Sequence, residues 1–270
     1  MPASYAHDRF GRDVLRALPG RHAEAAGADM DLFSFGLQGP DILYYYKPLS
    51  HHVLHRAGNA LHERAGLDLF PAYARIFDER GKRRSDYSYL CGMLCHFALD
   101  RACHGTVIAC AAQGAVSHEE VESEFDRILL EEDGLDPVRT VRTRNLHPSR
   151  RAASVIAPYY EGVSTGKILR CLRSFSLYGK LLTVPGRAGY RRVDALLQHL
   201  PQYPFIHGHL INLDPDPDCE EAVRRMRAQY DAAVSEAVSL ILSFVPAAEG
   251  RRKWPDTAAY NFLSERRYEK

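Results

Sequence analysis

No uninterrupted apolar run in this sequence approaches the roughly 18 residues that a membrane-spanning helix needs. Its first residues also lack the apolar segment of a secretory signal peptide. The six cysteines show no paired spacing, which argues against a disulfide-rich scaffold and favours buried, small hydrophobic roles. We therefore expect a cytoplasmic protein with reduced cysteines.

The sequence also lacks an excess of either charge. It has 35 basic and 34 acidic residues, a formal net charge of +1, so we expect no stable complex with nucleic acid. One local basic run surrounds His147 and contains Arg139, Arg142, Arg144, Arg150 and Arg151. Such a run could contact phosphates or make transient contact with a membrane surface, although a solvated loop is its ordinary interpretation.

Alternating patterns typical of strands are scarce, whereas helical periodicity recurs along the chain. We predict an all-α protein with helices at residues 8–18, 49–77, 87–103, 118–131, 155–160, 166–182, 193–199 and 218–244. A Gly- and Pro-containing stretch at residues 134–148 favours a linker. This divides the chain into a helical core, residues 1–147, and a helical extension packed on it, residues 148–270. One continuous domain is the alternative.

The predicted helix at residues 118–131 carries a carboxylate where a hydrophobic residue is expected. Ser117 and Glu120 have the spacing of a capping box, which places the helix start at His118. His118 and Glu122, one turn apart, fall within the apolar stripe formed by Val121, Phe125, Ile128 and Leu129. We assign the opposite, solvent-facing side to Glu119, Glu120, Ser123, Asp126 and Arg127. A buried carboxylate is costly unless it is paired or bound to a metal, so we expect a cation beside Glu122.

The helix at residues 87–103 is apolar on almost every side, which is typical of the centre of a bundle. Its polar interruptions include His96 and Asp100, and His104 shares their stripe if the helix continues that far. A histidine nitrogen and a carboxylate oxygen one turn apart can bind zinc together. A histidine paired with an aspartate in the core is the alternative for one helix alone. The same anomaly on two helices favours a metal site over that alternative.

Over residues 5–126 the sequence resembles the zinc-dependent phospholipases C, which are kin to the zinc-dependent single-strand nucleases. The resemblance rests on a His-x-x-x-Asp pair, a histidine soon after it, a His-x-x-x-Glu pair and upstream His and Asp residues. It implies a multi-helix bundle around a multinuclear zinc site, with two or three ions held by His7, Asp41, His62, His96, Asp100, His104, His118 and Glu122. His55 is the alternative to His62.

Two features depart from the secreted members of that family. Those enzymes ligate zinc with an N-terminal tryptophan, whereas this sequence begins with Met1 and Pro2, whose amine could serve instead after removal of Met1. Asp100 and His104 are separated by three residues, where five are usual. These departures leave open whether two or three zinc ions bind.

The resemblance also implies a role for each ligand. Asp41, His62, His96 and Asp100 would hold one metal, and His104, His118 and Glu122 a second, with Asp100 bridging to a third near His7. Metals about 3.5–4 Å apart can share a hydroxide and stabilise an in-line attack on phosphorus. Asp41 is the predicted general base. The implied activity is hydrolysis of phosphate esters, specifically by a phospholipase C-like phosphodiesterase. Manganese or iron would also suit these ligands.

The substrate stays open between a phospholipid head group, a nucleotide and a small phosphodiester. Tyr44, Tyr45 and Tyr46 could form an aromatic wall for a choline-like group or a base, or could pack in the core. His207 and His209, in a Pro- and Gly-rich stretch, are expected to be surface histidines.

Two alternatives compete with this function. The pair His7-Asp8 matches the core dipeptide of the His-Asp-type metal phosphohydrolases, but that interpretation leaves Glu122 unexplained. A non-catalytic, inactive homologue would use its metals only to stabilise the fold. Structural zinc sites usually have four protein ligands. The set inferred here has too few ligands per metal to close every shell, which favours bound water and hydrolysis.

Overall fold

The computed structural model describes residues 4–48, 50, 52–184, 186–199 and 203–268. Its α-helices are α1 (Ser4–Ala17), α2 (Gly20–Ala26), α3 (Met30–Gly36), α4 (Val53–His62), α5 (Gly66–Glu79), α6 (Arg84–Ala111), α7 (His118–Glu132), α8 (Arg150–Ile156), α9 (Thr165–Leu181), α10 (Arg187–Leu197), α11 (Tyr203–His207) and α12 (Glu220–Ala248). Short 3₁₀ segments include Gly39–Tyr45 and Asp256–Ala259. The described residues contain no strand, only one isolated bridge between Tyr260 and Arg266. The all-α prediction is confirmed.

Helix α6 forms the centre of the bundle and packs against α3 and α12. It is buried on most sides, as its apolar sequence predicts, and it continues eight residues beyond the predicted end at residue 103. Val107 and Cys110 extend its buried face. His96, Asp100 and His104 therefore share one continuous helix and lie on one stripe.

Close backbone contact fixes the crossing of α3 and α6. A Cβ atom on Gly36 would lie 2.1 Å from the carbonyl oxygen of Tyr89, and one on Gly92 would lie 2.2 Å from that of Phe33. Both neighbours are main-chain atoms, which cannot move aside as a flexible side chain can. Only glycine fits at either position.

We expect Gly92→Ala to lower the free energy of unfolding by about 3 kcal/mol, because the added methyl group must push α3 and α6 apart. Urea denaturation followed by circular dichroism would measure the change. Gly166→Ala is the matched control, since no atom lies within 4 Å of its added Cβ. An unfolding midpoint of Gly92→Ala equal to that of the control would contradict the close crossing.

Several predicted helix boundaries are wrong. The single helix expected at residues 49–77 is two helices, α4 and α5, and position 49 lies outside the described residues. The break follows from a long-range contact, because the amide of Gly66 donates to the carbonyl of Tyr260 near the end of the chain. The helices predicted at 155–160 and 193–199 begin earlier, at Arg150 and Arg187. Helices α2, α3 and α11 are absent from the predicted set.

The capping box at the start of α7 is confirmed, but the predicted solvent-facing side of this helix is wrong. Ser123, Asp126 and Arg127 are all buried. The segment before α12 covers two of them, because the Ser123 hydroxyl donates to the carbonyl of Gly208 and the Arg127 guanidinium donates to that of Asn212. Asp126 is instead buried against the start of α1 and Arg142. Polar residues on a helix thus face the interior when another segment supplies their hydrogen-bond partners.

The main hydrophobic core draws on both predicted parts of the chain, for example Phe97 and Phe125 with Phe175 and Phe244. The division between residues 147 and 148 stays a prediction. A second, smaller cluster, called here the outer cluster, is formed by Val184, Tyr190 and Leu210, with the partly buried Val138, Leu182, Val193, Leu197 and Leu213 packed against it. It supports α10 away from the main core.

All six cysteines are free and buried, as predicted. Among the described residues, one helical stretch, Pro217–Ala248, has the length and average hydropathy of a membrane span, and 39% of its most apolar window is buried. The packed core helix of a globular protein meets the same criteria, so this is weak evidence for a span. The cytoplasmic location stays a prediction.

Candidate metal centre

The structure brings the side chains of all eight predicted ligands to one place. They come from α1, the 3₁₀ segment Gly39–Tyr45, the end of α4, and the facing sides of α6 and α7. Within the described residues, these side chains form two sets, and inside each set the ligand-capable atoms all lie within 4.8 Å of one another. The first group is His7, Asp41, His96 and Asp100, and the second group is His104, His118 and Glu122.

Asp100 is the most connected of these side chains. Its Oδ1 lies 3.2 Å from Nε2 of His7, and its Oδ2 lies 3.1 Å from Nε2 of His96. The same Oδ2 is 3.6 Å from Nδ1 of His104 in the second group. One carboxylate therefore contacts histidines of both groups.

His62 lies beside the first group, with its Nε2 3.0 Å from Oδ1 of Asp41 and 3.6 Å from Oδ2 of Asp100. The alternative residue, His55, instead contacts the backbone carbonyl of Tyr46 at 2.9 Å. The structure thus places His62, and not His55, next to Asp41. The proposed amine of Pro2 lies outside the described residues.

The second group is centred on Glu122. Its Oε1 is 3.3 Å from Nε2 of His118 and 3.9 Å from Nε2 of His104. Glu122 and His104 are buried, whereas His118 is partly exposed. This group therefore lies at the boundary between the core and solvent.

Backbone contacts orient the imidazoles. Nδ1 of His96 donates to the carbonyl of Leu37 at 3.1 Å, and Nδ1 of His62 donates to that of Gly58 at 2.8 Å. Each ring then directs the lone pair of Nε2 toward the carboxylates, which is the usual arrangement of a metal-binding histidine. The backbone passes very close to His96 at Gly39, which has a φ of +50°. A Cβ atom added at this position would lie 2.1 Å from the His96 ring.

Several buried atoms in the cluster lack a hydrogen bond within the described part of the chain. They are Nδ1 of His7, both carboxylate oxygens of Asp41, Nε2 of His62, Nε2 of His96, Oδ2 of Asp100 and Nδ1 of His104. Buried polar atoms are rarely left in this state. Nitrogen and oxygen atoms that converge without bonding to each other fit the shell of a shared cation.

Without metal, the two groups stabilise charge on each other. Burial by itself lowers the pKa of His96, but the carboxylates of Asp100 and Asp41 raise it to about 9. Burial raises the pKa of Asp100, yet His96 and His104 hold it well below its usual range. The pKa of Glu122 is likewise lowered, because His118 outweighs the effect of burial. The lowered pKa values favour the ionised carboxylates of Asp100 and Glu122, which is the form that binds metal.

A cavity of about 1180 Å³ opens beside the cluster. Its lining includes His62, His104 and His118, together with the apolar side chains of Leu181, Leu182, Val193, Leu197 and Ile206. Three of the eight predicted ligands therefore border space that a substrate could enter.

The family model for zinc dependent phospholipase C matches residues 6–173. The chain belongs to the zinc-dependent phospholipase C family. The matched range contains all eight candidate ligands, and helices α10 to α12 lie beyond it. The chain matches no curated protein and no solved structure.

Membership of this phospholipase C family indicates a metal-dependent hydrolase of phosphate esters. The donor set fits zinc, because it combines imidazole nitrogens with carboxylate oxygens. Neither group contains a cysteine. Both groups thus fit the metal for which the family is named.

The tyrosines of the 3₁₀ segment divide between the two predicted roles. The hydroxyl of Tyr44 donates to Asn59 at 2.6 Å, and its ring stacks on His62 at the cavity. Tyr45 is buried and stacks on Phe175, although it also lines the cavity. Tyr46 packs against His52, away from the cavity lining.

Two residues of the site escaped prediction. Phe262, fully buried after α12, places its ring 5.1 Å from that of His62 and 5.8 Å from that of His96. No motif marks this isolated aromatic residue. His209, expected at the surface, is buried and lines the cavity, because residues 208–212 lie across α7.

Asp126 anchors the start of α1. Its buried carboxylate accepts hydrogen bonds from the amides of Tyr5 and Ala6 and from the guanidinium of Arg142. The predicted solvated loop is therefore wrong for Arg142, which is buried. Since Tyr5 and Ala6 directly precede His7, this contact also fixes the position of His7 in the first group.

Proposed function

We propose that this protein is a zinc-dependent phosphodiesterase of the phospholipase C type that hydrolyses phospholipids. The observation that carries the proposal is the cavity, whose lining combines candidate ligands from both α6 and α7 with apolar side chains of α9 and α10. A phospholipid whose phosphodiester lies at the histidines would place its acyl chains against these apolar side chains. A nucleotide would leave the same side chains uncovered, and the net charge of +1 offers no general attraction for polyanions.

The eight side chains would hold two or three zinc ions, the first group with His62 on one side and the second group on the other. When bound, zinc supplies a Lewis acid and lowers the pKa of water. Asp41, fully buried between His62 and His96, would accept the proton of the attacking water. Hydrogen bonds to backbone carbonyls hold the rings of His62 and His96 in place. The Tyr44 ring stacks on His62 and lines the cavity.

The His-Asp-type phosphohydrolase alternative finds less support. That chemistry needs Asp8 to join His7 at the metal. Here the Asp8 carboxylate is 3.1 Å from Arg12 and accepts a hydrogen bond from the Asn145 amide. Asp8 thus acts as an ion-pair partner on α1.

Zinc content tests the proposal most directly. Mass spectrometry of protein purified without chelator should find two or three zinc ions per chain, and Glu122→Ala should lose at least one, because the second group then keeps only two histidines. Glu131→Ala is the control, as its carboxylate is on the same helix but exposed. Near-zero metal in well-folded wild-type protein would contradict the proposal. Zinc-loaded protein inactive on every phosphodiester would support the non-catalytic alternative.

A further inference from the structure

Two helices beside the cavity carry leucines that the fold leaves in solvent. Leu177 and Leu181, one turn apart on α9, are 53% and 63% exposed, and Leu196 on α10 is 72% exposed. We call these three the exposed leucines. Leu181 also lines the cavity together with Leu197, the neighbour of Leu196. Leu181 therefore belongs both to the cavity lining and to the exposed apolar surface of α9, and exposed apolar surface beside a cavity is typical of an interaction site.

The same part of the chain is strongly basic. Residues 164–199 contain seven lysine and arginine residues and one acidic residue, although the whole chain has a net charge of only +1. On α9, Arg173 is one turn before Leu177 and Lys180 directly precedes Leu181, and Arg192 is one turn from Leu196 on α10. All three basic side chains are exposed. Leucines set among cations match the surface of a membrane that contains anionic lipid.

Charge also distinguishes between possible occupants. A second copy of the chain would bring two basic surfaces together, and like charges oppose that contact. An anionic lipid surface has the complementary charge and accepts the leucines among its acyl chains. The basic run around His147 is a weaker candidate, since its Arg142 is buried against Asp126.

We propose that the exposed leucines and their neighbouring basic residues dock the protein on bilayers that contain anionic phospholipid. The cavity mouth, marked by Leu181, then faces the lipid. This orientation rests on the proposed function, but the docking itself can be measured without any hydrolysis. All three leucines lie beyond the residues that match the family.

The test is co-sedimentation with vesicles. Wild-type protein should sediment with phosphatidylcholine vesicles that contain phosphatidylglycerol, less with pure phosphatidylcholine, and less at high salt. The double variant Leu177→Ser/Leu196→Ser should bind at least about tenfold more weakly, because two apolar anchors are lost. Neither residue lines the cavity. Ile108→Ser, an exposed apolar position on α6, is the matched control and should bind as the wild type does.

Charge is tested separately. Arg173→Gln/Arg192→Gln should reduce the preference for phosphatidylglycerol, and an unchanged preference would overturn the electrostatic part of the proposal. Equal binding by Leu177→Ser/Leu196→Ser and wild type would overturn the docking surface. The proposal would also be overturned if the wild type self-associated without vesicles and Leu177→Ser/Leu196→Ser did not, because the leucines would then bind a second copy of the chain.

Hydrolysis separates this proposal from the previous one. Vesicle binding by protein that cleaves no phosphodiester supports the docking surface and contradicts the proposed function. Cleavage of a water-soluble phosphodiester by protein that binds no vesicle supports the function and overturns the docking surface.

Discussion

Asp100→Asn should remove at least one zinc ion per chain and lower phosphodiester hydrolysis by about 10³-fold or more. The loss is large because this carboxylate contacts His7 and His96 and also reaches His104 in the other group. The asparagine amide keeps the shape of the aspartate side chain but loses the negative charge that balances the metal. A loss in rate of about 10³-fold corresponds to about 4 kcal/mol of transition-state stabilisation. Zinc analysis and a soluble phosphodiester assay would measure both effects.

Asp86→Asn is the matched control for this variant. Asp86 is also fully buried on α6, but it pairs with Arg80 and accepts a hydrogen bond from Tyr159, far along the helix from the metal centre. We expect it to lose stability and retain zinc. If Asp100→Asn kept the wild-type zinc content and activity, the shared position of Asp100 between the two groups would have no functional meaning.

Asp41→Asn should lower kcat by about 10²–10⁴-fold while zinc content stays near that of the wild type. The Asn oxygen can still occupy a ligand position beside His62 and His96, but the amide cannot accept the proton of the attacking water. Steady-state kinetics together with zinc analysis of the same preparation would separate these roles. Two results would be informative against the assignment: parallel loss of zinc and activity would make Asp41 a ligand only, and unchanged kcat would exclude it as the base.

Local spacing explains what the sequence could predict. His96, Asp100 and His104 share a stripe through helical geometry alone, as do His118 and Glu122, and the capping box sets the phase of α7. These features need no knowledge of the rest of the chain. They sufficed to place candidate ligands on both α6 and α7, while helical periodicity and the scarcity of strand patterns sufficed for the all-α class.

Long-range contacts explain what the sequence could not. The break between α4 and α5 depends on Tyr260, and the burial of Ser123 depends on Gly208. Asp126 looks like an ordinary surface residue until Arg142 and the start of α1 are placed against it. Such partners are distant in sequence, so no local pattern indicates them.

Phe262 makes the metal centre depend on residues that are far from the ligands in the sequence. Its ring packs beside His62 and His96, and its amide donates to the carbonyl of His62. All eight candidate ligands lie between residues 7 and 122, whereas this aromatic wall follows Glu122 by 140 residues. The family-matched residues 6–173 therefore contain every candidate ligand but not this wall, so that segment alone would leave the rings of His62 and His96 uncovered on one side.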